Sequence, residues 1–277
     1  MNILITGANG QLGRELTKQY SRKKGIDLIL TDVSDLDISN INEVYNFVNE
    51  NKPDVIINCA ALTAVDKCET EIDMAYKINT IGPKNLAMAA NEIGAEIVQV
   101  STDYVFGGDI DKSLTEFDVV NPQTIYGKTK LEGEILVKNH NPKHYIVRTA
   151  WLYGDGNNFV KTMINLSKTN KTLKVVNDQK GTPTSTVDLA KTIIKLVEDK
   201  NYGLFHCTCK GECTWYEFTK EIFRVKGITT TVIPCTTDEF PRPAKRPEYS
   251  VLRNYMLELT TGDITRTWQE AISEYLK

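Results

Sequence analysis

Short apolar runs alternate with amphipathic stretches through the first half of the chain. Met1-Asn2-Ile3-Leu4-Ile5-Thr6 reads as a buried strand, and Leu12, Leu16 and Tyr20 then recur at helical spacing. Ile26–Thr31 predicts a second strand ending at Asp32, and a short third strand is expected to hold Asp37. A helix over Asn40–Asn51 follows, then the near-continuous apolar strand Asp54–Cys59, a long helix over Thr70–Asn91 and the strand Glu96–Ser101. The next helix carries Tyr126 and Lys130 to about Asn139, and His144–Thr149 is a further strand. Repeated strand–helix units with strands apolar on both faces specify α/β architecture: a doubly wound parallel sheet with helices on both sides. Ligands bind such sheets at the strands' carboxyl ends, which here carry Thr6/Gly7, Asp32, Cys59–Ala61 and Ser101–Asp103.

After residue 150 the pattern loosens. Helices are expected near 158–169, 186–198, 214–226 and 267–276, separated by loops such as Gly181–Thr184 and Phe240–Pro247. Residues 1–150 are therefore read as a nucleotide-binding domain. Residues 151–277 form mainly a smaller C-terminal substrate-binding lobe over a cleft, with some return to the first domain. The length of 277 residues suits this arrangement.

Bulk chemistry removes several alternatives. A net charge of −3 gives no electrostatic footprint for nucleic acid. No apolar run approaches the length of a membrane span. Residues 1–6 already form a strand, so a signal peptide is not expected and the chain is assigned to the cytoplasm. The six cysteines are then thiols. Cys207, Cys209 and Cys213 have no second downstream pair to complete a zinc set, and no metal site is assigned.

Two motifs carry chemistry. Gly7, Gly10 and Gly13 lie between the first strand and its helix. In a Rossmann-type turn these glycines permit the tight bend, the approach of a pyrophosphate and close helix–strand packing, while the helix N-terminus receives the phosphate. Tyr126 and Lys130, four residues apart, share a helix face. An ammonium beside a phenol is expected to lower the tyrosine pKa, making a usable acid or base. Asp32 suits a ribose 2′-hydroxyl and favours NAD(H); Arg14 suits a 2′-phosphate.

The ordered motifs resemble the dTDP-4-dehydrorhamnose reductase family of extended short-chain dehydrogenase/reductases over nearly the whole chain. They include Asn58-Cys59-Ala60-Ala61-Leu62-Thr63-Ala64-Val65-Asp66, where cysteine replaces an alanine, and Ser101-Thr102-Asp103-Tyr104-Val105-Phe106. Tyr126-Gly127-Lys128-Thr129-Lys130-Leu131, Arg148-Thr149-Ala150-Trp151-Leu152-Tyr153-Gly154 and Arg246-Pro247-Glu248-Tyr249 continue the series. The resemblance implies NAD(P)H-dependent reduction of the C4 ketone of dTDP-4-dehydro-6-deoxy-L-mannose to dTDP-L-rhamnose, the last step in making that precursor of cell-surface polysaccharide. Tyr126 would be the proton donor, Lys130 would tune it and hold the nicotinamide ribose, and Thr102 would bond the same carbonyl oxygen. Gly7, Gly10, Gln11, Leu12, Gly13, Arg14, Asp32, Asp37, Ile38, Ala60, Ala61 and Thr63 would hold the cofactor, with NADP(H) favoured over NAD(H). Thr102, Asp103, Trp151 and Arg246 would meet the sugar nucleotide. Related dehydratases carry Glu where this chain has Tyr104, which argues against water elimination. Alternatives are a reductase or epimerase of another nucleotide sugar, or a non-catalytic regulatory subunit that binds the cofactor. Some relatives hold Mg²⁺ at a dimer contact. Glu15 stands in a suitable place but lacks acidic companions, so a metal-linked contact is not expected and a homodimer of another kind stays open.

Overall fold

The computed structural model describes residues 1–277. Its centre is a six-stranded, wholly parallel sheet: β1 Asn2–Thr6, β2 Asp27–Thr31, β3 Val55–Asn58, β4 Glu96–Thr102, β5 His144–Thr149 and β6 Gly203–His206. The spatial order is β6-β5-β4-β3-β1-β2. The order reverses beside β1, so a crevice opens between the loops following β1 and β3.

Strand alternation assigns side chains to faces. Ile3, Ile5, Val55, Ile57, Val98, Tyr145 and Val147 pack with helices α1 Gln11–Tyr20 and, from far along the chain, Thr186–Asp199. Leu4, Ile56, Ile97 and Ile146 point the other way, against α2 Ile41–Asn51, α3 Gly82–Glu92 and α4 Ile125–His140. The strands read as continuous apolar runs because both faces are covered.

Residues beyond 150 serve both parts. The chain first leaves the sheet through α5 Phe159–Ser167. It returns through α6 Thr186–Asp199 and β6, then departs again through α7 Trp215–Lys226 and α8 Trp268–Tyr275. A separate core of Tyr153, Val160, Phe218, Ile222, Trp268 and Ile272 holds these outer helices together. A parallel pair of strands, Thr172–Val176 with Thr231–Cys235, extends this lobe.

One local expectation is corrected and another gains a detail. No strand forms at Asp37: residues 32–40 fold back through turns, with the Asp37 carboxylate accepting from the Ser39 amide and hydroxyl. The helix expected over Thr70–Asn91 runs without a break from Ile72 to Glu92, with a π turn at Lys77–Ile81 between Ile72–Tyr76 and α3. That widened turn aims Asn79 inward, where its amide bonds both the Leu62 backbone and the Thr129 hydroxyl.

Candidate active site

A cleft of about 1060 Å³ lies over the carboxyl ends of β1, β3, β4 and β5, roofed by residues from the outer lobe. One wall begins at Gly7. Its φ of +65° and its proximity to β3 exclude any side chain: a Cβ there would stand 2.7 Å from the Ala60 nitrogen. At Gly13 a Cβ would meet the Gly7 carbonyl at 2.4 Å, so α1 packs against the turn only because both positions are bare. Helix α1 has neither a side-chain cap nor an acidic residue in its first turn. Its terminal N–H groups are therefore available to a phosphate at the cleft. Gly10, Gln11, Leu12, Gly13, Arg14, Ala60, Ala61 and Thr63 line the cavity. Gly7 shapes the turn from behind them.

The expected cofactor residues do not all meet there. Asp32 borders a smaller adjoining recess of about 440 Å³ with Arg14, Lys18 and Asp35. Its carboxylate accepts from the Asn9 and Val33 amides. Arg14 faces both recesses and donates to the Asp155 carbonyl. Asp37 and Ile38 line neither. Asp37 caps its own turn, while Ile38 is buried under Gly82. Gln11 joins the two parts of the molecule by accepting from the Gly154 amide at 2.9 Å.

Beyond the glycine turn, β4 and α4 supply the reactive groups. Thr124 caps α4 by accepting from the Gly127 amide, starting the helix so that Tyr126 and Lys130 both face the cleft. Lys130 donates to the Val100 carbonyl at 2.6 Å. The Thr102 hydroxyl donates to Asp103 Oδ1 at 2.9 Å and accepts from the Tyr104 amide at 3.2 Å. Tyr126 packs edge-on to Tyr104, ring centroids 5.5 Å apart.

The expected pKa shift of Tyr126 is corrected. Burial pushes its hydroxyl above the ordinary phenol range, and the nearby Thr102 hydroxyl only partly offsets this. Lys130 is not among the groups that lower it, and burial lowers its own ammonium to about 8. Desolvation of both groups outweighs their spacing on the helix. Tyr126 therefore stands protonated at neutral pH, which suits a proton donor. Asp103, almost wholly buried with Oδ2 unpaired, is raised to about 6 by the same cause.

The outer lobe forms the opposite wall. Trp151 has a φ of +47° and lies flat on Trp215, ring centroids 3.4 Å apart and planes within 6°. A side chain at Gly181 would strike the Trp151 ring. Phe159 packs beside Trp215. Arg246 pairs with Asp66 at 2.9 Å and leaves Nη1 buried without a partner. The polar residues Thr102, Asp103, Trp151 and Arg246 are thus brought to one cavity, as are Thr63, Val65 and Asp66. Trp215, Phe159 and Gln179 also line the cavity, although the sequence assigned them no site role. The only local signal for Trp215 was its place directly after the helix cap Thr214.

Elsewhere, Cys207 lies in the sheet core, whereas Cys209 and Cys213 lie in the outer core. Glu15 is bonded by Gln19 of its own helix. No helix is long and apolar enough to cross a membrane.

The parallel sheet, its glycine turn and a Thr–Tyr–Lys set lining the same cleft are the layout expected of a nicotinamide-dependent oxidoreductase of the extended short-chain type. The comparisons narrow this. The family model described as "RmlD substrate binding domain" matches residues 1–277, and the chain belongs to that family, which includes the dTDP-4-dehydrorhamnose reductases. A crystal structure of a dTDP-4-dehydrorhamnose reductase from Clostridium acetobutylicum ATCC 824 is 70% identical, with a TM-score of 0.99 over 100% of this chain and 98% of that one. A dTDP-4-dehydrorhamnose reductase from Bacillus anthracis str. Ames, solved in complex with NADP, is 44% identical with a TM-score of 0.96, covering 99% and 98%. Among curated proteins, the spore coat polysaccharide biosynthesis protein SpsK of Bacillus subtilis (strain 168) is 42% identical over 99% of this chain and 96% of its own length.

Proposed function

We propose that the chain reduces the C4 ketone of dTDP-4-dehydro-6-deoxy-L-mannose to give dTDP-L-rhamnose. The observation that carries this reading is the convergence of Thr102, Tyr126 and Lys130 on the same cleft as the uncapped N-terminus of α1. The cofactor, NADPH in preference to NADH, supplies the hydride to C4. The NADP complex of the Bacillus anthracis relative supports that preference, and Arg14 gives a cation where a 2′-phosphate would lie.

Tyr126 donates its proton to the ketone oxygen as negative charge develops there. The Thr102 hydroxyl offers a second donor to that oxygen in place of its present bond to Asp103. Lys130 stabilises the tyrosinate left behind and bonds the nicotinamide ribose. Trp151 and Trp215 offer an aromatic face to the sugar nucleotide, and Arg246, with one nitrogen unpaired, offers a donor to its phosphates. Tyr104 is packed against Tyr126 where an eliminating enzyme would need a carboxylate.

The test is product identity. Incubation with NADPH and the 4-keto sugar nucleotide should yield a C4 alcohol, identified by NMR as dTDP-L-rhamnose, with one NADPH consumed per product. A C4 or C5 epimer that consumes no NADPH would refute the reading.

A further inference from the structure

Three consecutive residues of β4 meet α4 at three successive points. The Val100 carbonyl accepts from Lys130, the Ser101 hydroxyl donates to Glu134, and the Thr102 hydroxyl lies beside the Tyr126 phenol. Tyr126, Lys130 and Glu134 are spaced by four, so one face of α4 presents them in order. Glu134 is not a solvated acid: its side chain is 5% exposed. Arg148, on β5 and opposite Ser101 in the sheet register, reaches it with two prongs. Nε donates to Oε1 at 2.9 Å and Nη2 to Oε2 at 2.7 Å. One carboxylate thereby ties the reactive helix to both neighbouring strands.

Taking two ions out of water costs about as much as their attraction returns, so such a pair is a poor device for stability alone. We propose that Glu134, held by Arg148 and Ser101, is a positioning residue that keeps the Lys130 ammonium charged and in register with Tyr126. The surrounding charges fit this role. Burial works against the Lys130 charge, and Glu134 is the leading group that restores it; Cys59, just past β3, is a neutral thiol there because burial raises it to about 12. Asp103, Tyr104 and Cys68 bear on Tyr126 instead. Behind Arg148 stand His206, held neutral by burial and by Arg148 itself, and Glu116, which also feels Arg148.

The inference rests on the reductase reading, but its first test needs no substrate. Competitive acetylation of the free protein across pH, resolved by mass spectrometry, reads the titration of Lys130 directly. In Glu134→Gln the midpoint should fall by about one pH unit, and the alkaline limb of NADPH oxidation should move down with it. Turnover at pH 8 should drop by about five- to tenfold, and KM for the sugar nucleotide should stay within about twofold. Glu134→Asp, which keeps the charge, should return both midpoints toward wild type. If Glu134→Gln does not fold, Ser101→Ala removes only one tether and should shift Lys130 in the same direction by less. An unmoved Lys130 midpoint in a folded variant, accompanied only by a lower melting temperature, would overturn the proposal. Wild-type protein that titrates as described yet oxidises no NADPH would instead refute the reductase reading.

Discussion

The two walls of the cleft are built differently. On the inner wall, Gly7, Ala60, Thr102, Tyr126 and Lys130 sit at strand ends or on the first turns of helices, and regular hydrogen bonding fixes their spacing. On the outer wall, Trp151, Gly181, Trp215 and Arg246 come from four separate segments, held by stacking, one ion pair and a two-residue strand pairing. The inner wall is rigid because the sheet dictates it. The outer wall depends on the packing of side chains from segments far apart in the chain, with short backbone pairings such as Gly181 with Cys213 between them. On the proposed reading, chemistry common to many substrates belongs on the first, and recognition of one sugar nucleotide on the second.

Substitutions should separate these walls. Tyr126→Phe removes the proposed proton donor with little change in shape, so turnover should fall on the order of 10²–10⁴-fold while NADPH still quenches protein fluorescence. Retained turnover would remove Tyr126 from its role. Gly7→Ala imposes a side chain at φ +65° against the Ala60 backbone. It should destabilise the protein by about 1–3 kcal/mol, seen in thermal or urea unfolding, and weaken NADPH binding with it.

The pH profile probes the inner wall without mutation. Lys130 holds its proton below about 8 and loses it above, so the reduction rate should fall as pH rises through that value. A rate that climbs steadily to pH 10 would contradict the need for a charged Lys130.

Trp215→Ala unstacks Trp151 on the outer wall. Stacking on this scale is worth about 0.5–1.5 kcal/mol, so KM for the sugar nucleotide should rise about three- to tenfold with turnover nearly kept. The smallest effect belongs to Arg14→Ala. Its exposed charge should change KM for NADPH by a few-fold and KM for NADH hardly at all, because screened surface charges contribute about 1 kcal/mol or less. Equal loss with both coenzymes would place Arg14 elsewhere than at a 2′-phosphate.

The same contrast explains what could be read from the chain. Strand periodicity and the glycine spacing located the inner wall, since both follow from local geometry. Asp37 misled because a turn stabilised by Asp–Ser bonding looks like a short strand in sequence. The π turn at Lys77–Ile81 was invisible because its cause is tertiary: Asn79 reaching Leu62 and Thr129. Tyr126 faces the cleft as expected but with the opposite pKa direction, since helical spacing brings Lys130 near but gives no measure of burial. Trp215 had no local signature of function, because its meaning lies in Trp151, sixty-odd residues away. The Glu134–Arg148 pair was hidden for a similar reason: a glutamate four residues after Lys130 looks like an ordinary helix-surface acid until the sheet register brings Arg148 to it.

The most direct test of the account is nicotinamide absorbance after mixing the protein with NADPH and dTDP-4-dehydro-6-deoxy-L-mannose generated in situ. Rapid oxidation that needs both the sugar nucleotide and Tyr126 is the expected result. NADPH that binds, as its fluorescence would show, but is not oxidised would contradict the account and point to another sugar nucleotide or a non-catalytic role.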